Sequence, residues 1–115
     1  MMWRIGVSRS FSAAHRVIGQ AGRCEQTHGH NYRVEVVLES PQLHQPGMIV
    51  DFAEVRAKLD AILPDHRLLN DVYDFNPTAE NLARYFFEQI SLHFSVHSVR
   101  VWENDECWAE YSQPG

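Results

Sequence analysis

Apolar and polar positions change period several times along the chain, and each period predicts an element. From residue 3, Trp3, Ile5 and Val7 alternate with Arg4 and Ser8. That spacing predicts a strand ending near Phe11. Residues 12–30 lose the alternation and carry Gly19, Gly22 and Gly29, which predicts an irregular functional loop. Asn31–Glu39 alternates cleanly, with Tyr32, Val34, Val36 and Leu38 on one face, and predicts a second strand. Pro41, Pro46 and Gly47 mark a turn.

The period then becomes helical. Phe52, Val55, Leu59, Ile62 and Leu63 form one stripe, with Asp51 as N-cap, Glu54 three residues on, and Pro64 as the stop. A second stripe, Ala79, Leu82, Ala83, Phe86, Phe87 and Ile90, predicts a helix to about Leu92. Asn76 is its expected N-cap and Pro77 its first helical residue. Val96–Glu103 and Cys107–Ser112 predict two strands joined at Asn104-Asp105-Glu106. The order β-β-α-α-β-β implies an α+β domain: a four-stranded antiparallel sheet with two helices on one face. No repeat or linker divides residues 1–115, so a single domain is expected.

Composition narrows the function classes. Ten Lys+Arg against fifteen Asp+Glu leave a net charge of −5, which argues against nonspecific binding to nucleic acid or a membrane surface. No apolar run reaches transmembrane length, and the start has no signal-peptide shape. Cys24 and Cys107 do not form a disulfide scaffold, so a cytoplasmic setting with free thiols is expected. A chain of 115 residues has little room for a deep private pocket, and oligomerisation is one way to build one.

The densest chemistry lies in Cys24-Glu25-Gln26-Thr27-His28-Gly29-His30. His28 and His30 share a strand face, and two imidazoles suit zinc. His15 is the nearest upstream candidate for a third ligand. Three histidines would leave zinc an open position, whereas Cys24 as a fourth ligand would close the site; a metal-free surface loop is the plain alternative. Near zinc, a thiol at Cys24 can reach a pKa useful to a base, and Asp65 can orient His66 as a second acid–base pair. Glu103 interrupts an apolar strand face, which suits an edge residue in solvent or a ligand-binding carboxylate.

Together these residues resemble the 6-pyruvoyltetrahydropterin synthase / 6-carboxytetrahydropterin synthase family. Phe11–His15 matches its Phe-x-Ala-Ala-His element, and Cys24–Tyr32 its Cys-x3-His-Gly-His-x-Tyr element. Gly47–Phe52 matches Gly-Met-Val-x-Asp-Phe with Ile49 in the Val place. Asp65-His66 with Leu69-Asn70, Pro77–Asn81 and Glu103 complete the series.

The resemblance implies a tunnelling fold, whose sheets close into barrels as trimers that stack into hexamers, with active sites between subunits. It implies zinc on His15, His28 and His30, Cys24 as catalytic base, and Asp65 with His66 as a proton relay. Glu103 would anchor a pterin ring, with Thr78 and Glu80 lining its pocket. The Cys-x3-His spacing resembles the queuosine-pathway branch, which converts 7,8-dihydroneopterin triphosphate to 6-carboxytetrahydropterin, triphosphate and acetaldehyde. The biopterin-forming branch has a longer Cys-to-His spacing. Two features depart from the pattern: Pro64 stands where Leu often precedes Asp-His, and Glu25 adds a Glu-x2-His-Gly-His pattern. The latter resembles a branch that forms 6-hydroxymethyl-7,8-dihydropterin.

Overall fold

A computed structural model describes residues 1–19 and 26–114. Cys24 and Glu25 lie outside the described residues. The elements in chain order are β1 (Trp3–His15), β2 (His28–Ser40), α1 (Phe52–Asp60), β3 (Arg67–Leu68), α2 (Leu69–Val72), α3 (Ala79–Ile90), β4 (Val96–Trp102) and β5 (Trp108–Ser112).

β1 and β2 pair antiparallel without interruption, from Trp3 opposite Ser40 to His15 opposite His28. The first strand therefore runs four residues past the expected end, and the second begins three residues earlier than expected. Ser12-Ala13-Ala14 carries little strand propensity of its own. Ala13 and His15 nevertheless keep the inward parity of Phe11, and the partner strand satisfies the backbone. Tertiary pairing decides the boundary here.

The sheet order is β3-β1-β2-β4-β5. Its four long strands are antiparallel, as the pattern implies. β2 and β4 shift register between Val37 and Leu38, where a bulge absorbs an extra residue. The addition is β3, which lies parallel to β1 through Ala13–Arg67 and Ala14–Leu68. Two residues cannot show a period, so this strand has no sequence signature.

Both longer helices pack on one face of the sheet. Val7, Phe11, Tyr32, Val34, Val36, Leu38, Val99 and Val101 from the strands share one core with Val55, Leu59, Leu82, Phe86 and Ile90 from the helices. Phe11 stacks on Tyr32 with ring centroids 4.9 Å apart and meets the edge of Phe86 at 6.1 Å. The opposite face is polar, with the Arg33 guanidinium 4.4 Å above the Trp102 ring and Arg100 3.8 Å above Trp108.

Asp51 caps α1 as expected, accepting from the Ala53 N–H at 2.9 Å. The helix stops at Asp60 rather than running to Pro64, although Ile62 and Leu63 still pack against the core. Helix α3 buries all six expected residues, but its cap is Thr78, whose hydroxyl accepts from the Asn81 N–H at 3.1 Å. Asn76 is not the N-cap and Pro77 is not helical. The Asn76 side chain is engaged elsewhere, on the backbone of Ile18. The helix ends at Ile90, short of Leu92.

Candidate active site

The β1–β2 register sets His15 opposite His28 and Ala13 opposite His30. All three imidazoles project from the helix-covered face at the end of the ladder. His15 is buried, at 1% exposure. Its Nδ1 lies 2.8 Å from the Pro77 carbonyl oxygen, and His28 Nδ1 lies 2.8 Å from that of Gln26. A carbonyl can only accept, so each Nδ1 carries the proton and each Nε2 keeps its lone pair.

Those two Nε2 atoms face each other at 3.0 Å. Two lone pairs at that separation repel unless a proton or a cation lies between them. Ligand nitrogens at about 2.0–2.1 Å from a tetrahedral zinc stand about 3.3 Å apart, close to this arrangement. The third nitrogen, His30 Nε2, is buried without a hydrogen-bond partner. Ligand atoms of His15, His28 and His30 all lie within 4.8 Å of one another, the one such group among the described residues. Burial is the main cause holding His30 below its ordinary pKa, Glu103 opposes that shift, and the other two histidines reinforce it. A neutral, lone-pair-bearing imidazole is the form a divalent cation needs. The donor set therefore fits a metal ion of zinc's class.

The three histidines line a cleft of about 800 Å³ together with Thr78, Glu80 and Glu103. Glu103 follows β4 directly, and its N–H donates to the Cys107 carbonyl at 3.1 Å, closing the hairpin turn. Asn104 Oδ1 accepts from the Glu106 and Cys107 N–H groups, as suits an Asn-led turn. Glu80 lies in the first turn of α3, where a carboxylate is favoured by the helix dipole. The Thr78 hydroxyl is occupied as the cap, its N–H donates to the Asn76 carbonyl at 2.9 Å, and its carbonyl accepts from the Leu82 N–H at 2.9 Å.

Asp65 and His66 form the expected pair, with Asp65 Oδ2 3.0 Å from His66 Nδ1. The Ser12 N–H donates to Asp65 Oδ1 at 2.8 Å, and the His66 N–H donates to the Ser12 carbonyl at 2.6 Å. The Ser12 hydrogen bond is the first cause holding the Asp65 carboxyl below its ordinary pKa, assisted by His66. His66 adopts φ 58°, the left-handed region that costs a non-glycine residue about 1–2 kcal/mol. Its side chain is 81% exposed.

His66 lines a second cleft, of about 560 Å³, with Ser12, Asn31 and Arg67. By strand alternation Ser12 and Asn31 lie on the sheet face opposite His28. The two clefts meet only at Gly29 and His30. One chain therefore does not bring the Asp65–His66 pair into the histidine cleft.

The sequence pattern missed the groups that orient the ligands. The carbonyls of Pro77 and Gln26 have no side-chain signature. Asn76 carried a signal, but Asn-Pro reads equally well as a helix start. Asn70 appeared as part of a motif without a role.

The fold and the site together define a protein with a metal-ready, acid-lined cleft on an α+β sheet. Residues 4–114 match the family described as 6-pyruvoyl tetrahydropterin synthase, and the chain belongs to that family. A relative in Archaeoglobus fulgidus, provisionally named 6-carboxy-5,6,7,8-tetrahydropterin synthase, is 40% identical over 109 residues, covering 92% of each chain. The dihydroneopterin monophosphate aldolase of Pyrococcus furiosus is 34% identical over 116 residues, covering 96% of this chain and 97% of its own. The structure of Caenorhabditis elegans 6-pyruvoyl tetrahydropterin synthase superposes with a TM-score of 0.86 at 27% identity, covering 99% of this chain and 97% of that one. The sheet-and-helix arrangement is that of the tunnelling fold. Among the described residues, no helix is long and apolar enough to cross a membrane.

Proposed function

We propose that this protein is a zinc-dependent 6-carboxy-5,6,7,8-tetrahydropterin synthase, converting 7,8-dihydroneopterin triphosphate and water to 6-carboxytetrahydropterin, triphosphate and acetaldehyde in queuosine biosynthesis. The observation that carries the reading is the juxtaposition, in one cleft, of three inward-facing imidazole nitrogens with the Glu103 carboxylate. Cys24, four residues before His28, selects the carboxy-forming branch. The name of the Archaeoglobus relative supports the same product.

His15, His28 and His30 would hold the zinc. Bound there, zinc supplies Lewis-acid polarisation of substrate oxygens, which acidifies the adjacent C–H bonds. Glu103 accepts hydrogen bonds from the amino-pyrimidinone edge of the pterin, a planar donor pair that suits a carboxylate. Thr78 and Glu80 line the same pocket. Cys24 takes a proton on one side of the substrate.

The Asp65–His66 pair moves the second proton and comes from a neighbouring subunit. The separation of the two clefts in one chain supports this, because a relay on the other sheet face needs a second chain to reach the cleft. A hexamer built as two stacked trimers would supply that neighbour and would also pair the outer edge of β5. A cytoplasmic location accords with the free thiol at Cys107.

The test is product analysis with purified, zinc-loaded protein and 7,8-dihydroneopterin triphosphate. Acetaldehyde and the 6-carboxy product in equal amounts are expected. 6-Pyruvoyltetrahydropterin without acetaldehyde would overturn the assignment. A second reading rests on Glu25, which completes a Glu-x2-His-Gly-His pattern. It predicts 6-hydroxymethyl-7,8-dihydropterin as a product that survives Cys24→Ala and disappears in Glu25→Gln.

A further inference from the structure

His15 takes its orientation from a backbone carbonyl, and that carbonyl belongs to a tied turn. The Thr78 N–H donates to the Asn76 carbonyl at 2.9 Å, a bond across two residues that closes a γ-turn around Pro77. The proline ring fixes its own φ at about −65°. One torsion, the Pro77 ψ, is then left to aim the Pro77 carbonyl. That carbonyl lies 2.8 Å from His15 Nδ1, and both residues are buried.

Asn81, in the first turn of α3, grips the turn at both ends. Its Nδ2 donates to the Asn76 carbonyl at 2.9 Å, and its N–H donates to the Thr78 hydroxyl at 3.1 Å. The Asn76 carbonyl therefore accepts two hydrogen bonds, which uses both of its lone pairs. Asn76 is anchored a third way, through its own amide on the Ile18 backbone. Asn81 is exposed, while Leu82 and Ala83 beside it are fully buried. Those neighbours seat the helix on the core, and the Asn81 amide serves the turn.

The aim of the Pro77 carbonyl matters because His15 has a competing arrangement. Its Nε2 faces His28 Nε2 at 3.0 Å. A proton carried on His15 Nε2 instead of Nδ1 would bond to the His28 lone pair and block the position a cation needs. The Pro77 carbonyl opposes that tautomer, because it has a partner only when Nδ1 carries the proton.

We propose that Asn81 is a positioning residue for the metal site: by tying Asn76 and Thr78 it fixes the Pro77 carbonyl, which holds His15 in the metal-binding tautomer. This rests on reading His15, His28 and His30 as the zinc ligands. Asn81 acts through backbone and is not among the residues lining the histidine cleft.

The test uses Asn81→Asp, which deletes the Nδ2 donor at nearly constant size. A carboxylate in a first helical turn favours the helix, so α3 itself is not weakened. Arg84→Ala is the control. It breaks the exposed Arg84–Glu88 pair, 3.5 Å apart on the same helix, and leaves the turn alone. Zinc affinity is measured by competition with a chromogenic chelator. Groups that orient metal ligands are worth about 10–100-fold in affinity, and a loss in that range is expected for Asn81→Asp. Arg84→Ala should match wild type. The second measurement needs no metal. Long-range proton–nitrogen correlation spectra of the metal-free protein show which His15 nitrogen bears the proton. Nδ1 alone is expected in wild type and Arg84→Ala, and a mixture with Nε2 in Asn81→Asp.

Both changes are required of Asn81→Asp, and either one without the other would overturn the proposal, as would neither. An equal loss of affinity in Arg84→Ala would also overturn it, because helix stability would then be the cause. Asn81→Ala gives the same readings should Asn81→Asp not fold. Undiminished zinc in His28→Ala removes the ligand assignment instead, and the tautomer spectra then decide the role of Asn81 by themselves.

Discussion

His15 and His28 stand directly opposite each other at the end of the β1–β2 ladder, their Nε2 atoms 3.0 Å apart and both Nδ1 atoms committed to backbone carbonyls. Neither ring can turn to relieve the contact without giving up a hydrogen bond. A cation between the two lone pairs converts this repulsion into attraction.

Metal binding should therefore depend on each histidine. His28→Ala is expected to lose zinc, while the wild-type protein retains one ion per chain after gel filtration. Metal analysis with a chelator challenge decides it, and undiminished zinc in His28→Ala would remove the metal assignment. Because burial holds the His30 pKa below its ordinary value, the unfolded chain takes up more protons than the folded one as pH falls through about 6.5. The metal-free protein should lose this share of its stability below that pH, and a melting series from pH 8 to 5 would show it.

Cys24→Ala should keep zinc and assembly but lose turnover by about 10²–10⁴-fold, the usual worth of a positioned general base. Zinc release by this variant would make the thiol a ligand instead. Parallel metal and product assays separate the two outcomes.

The Asp65 carboxylate is favoured in the folded state by the Ser12 N–H and by His66. A carboxyl whose folded pKa is depressed contributes stability above its unfolded pKa of about 3.9 and loses it as pH falls through the lower, folded value. The stability difference between wild type and Asp65→Asn should be full near neutrality and shrink in strong acid. Urea titrations at several pH values would read it, and a difference independent of pH would refute the linkage.

Tyr32 is fully buried, and its hydroxyl has no hydrogen-bond partner. Burial raises its pKa, so the phenol stays protonated. Tyr32→Phe removes an unsatisfied group while keeping the stack on Phe11, and should be neutral or stabilising by up to about 1 kcal/mol. A loss of more than that in chemical denaturation would mean that the hydroxyl has a partner in the assembled protein.

The long-period features of this fold were legible in the sequence. Inward strand residues such as Val34 and Val36, and the α3 stripe from Ala79 to Ile90, follow from alternation and helical spacing alone. The histidine trio was legible because a metal site needs particular side chains at particular parities. What stayed hidden depends on backbone or on contacts distant in sequence. The Pro77 and Gln26 carbonyls that set the tautomers are invisible to residue identity. Asn76 was misread as a cap because its true partner, Ile18, lies far away along the chain and nothing local distinguishes the two uses. The strand boundary at His15 was set by its partner strand, not by Ser12–Ala14.

The unbroken β1–β2 ladder has a consequence for how this chain can change length. Every residue from Trp3 to His15 is matched one-to-one with Ser40 back to His28, so adding or deleting a single residue within either strand inverts the facing of all that follows it. His15 would then point through the sheet, away from His28. The register irregularity the sheet does contain lies between β2 and β4 at Val37/Leu38, toward the opposite end of the ladder from the histidines. Length variation is therefore excluded from the ladder and left to the connections outside it, while the thirteen paired positions of β1 act as a fixed ruler that measures out the place of the histidine cluster.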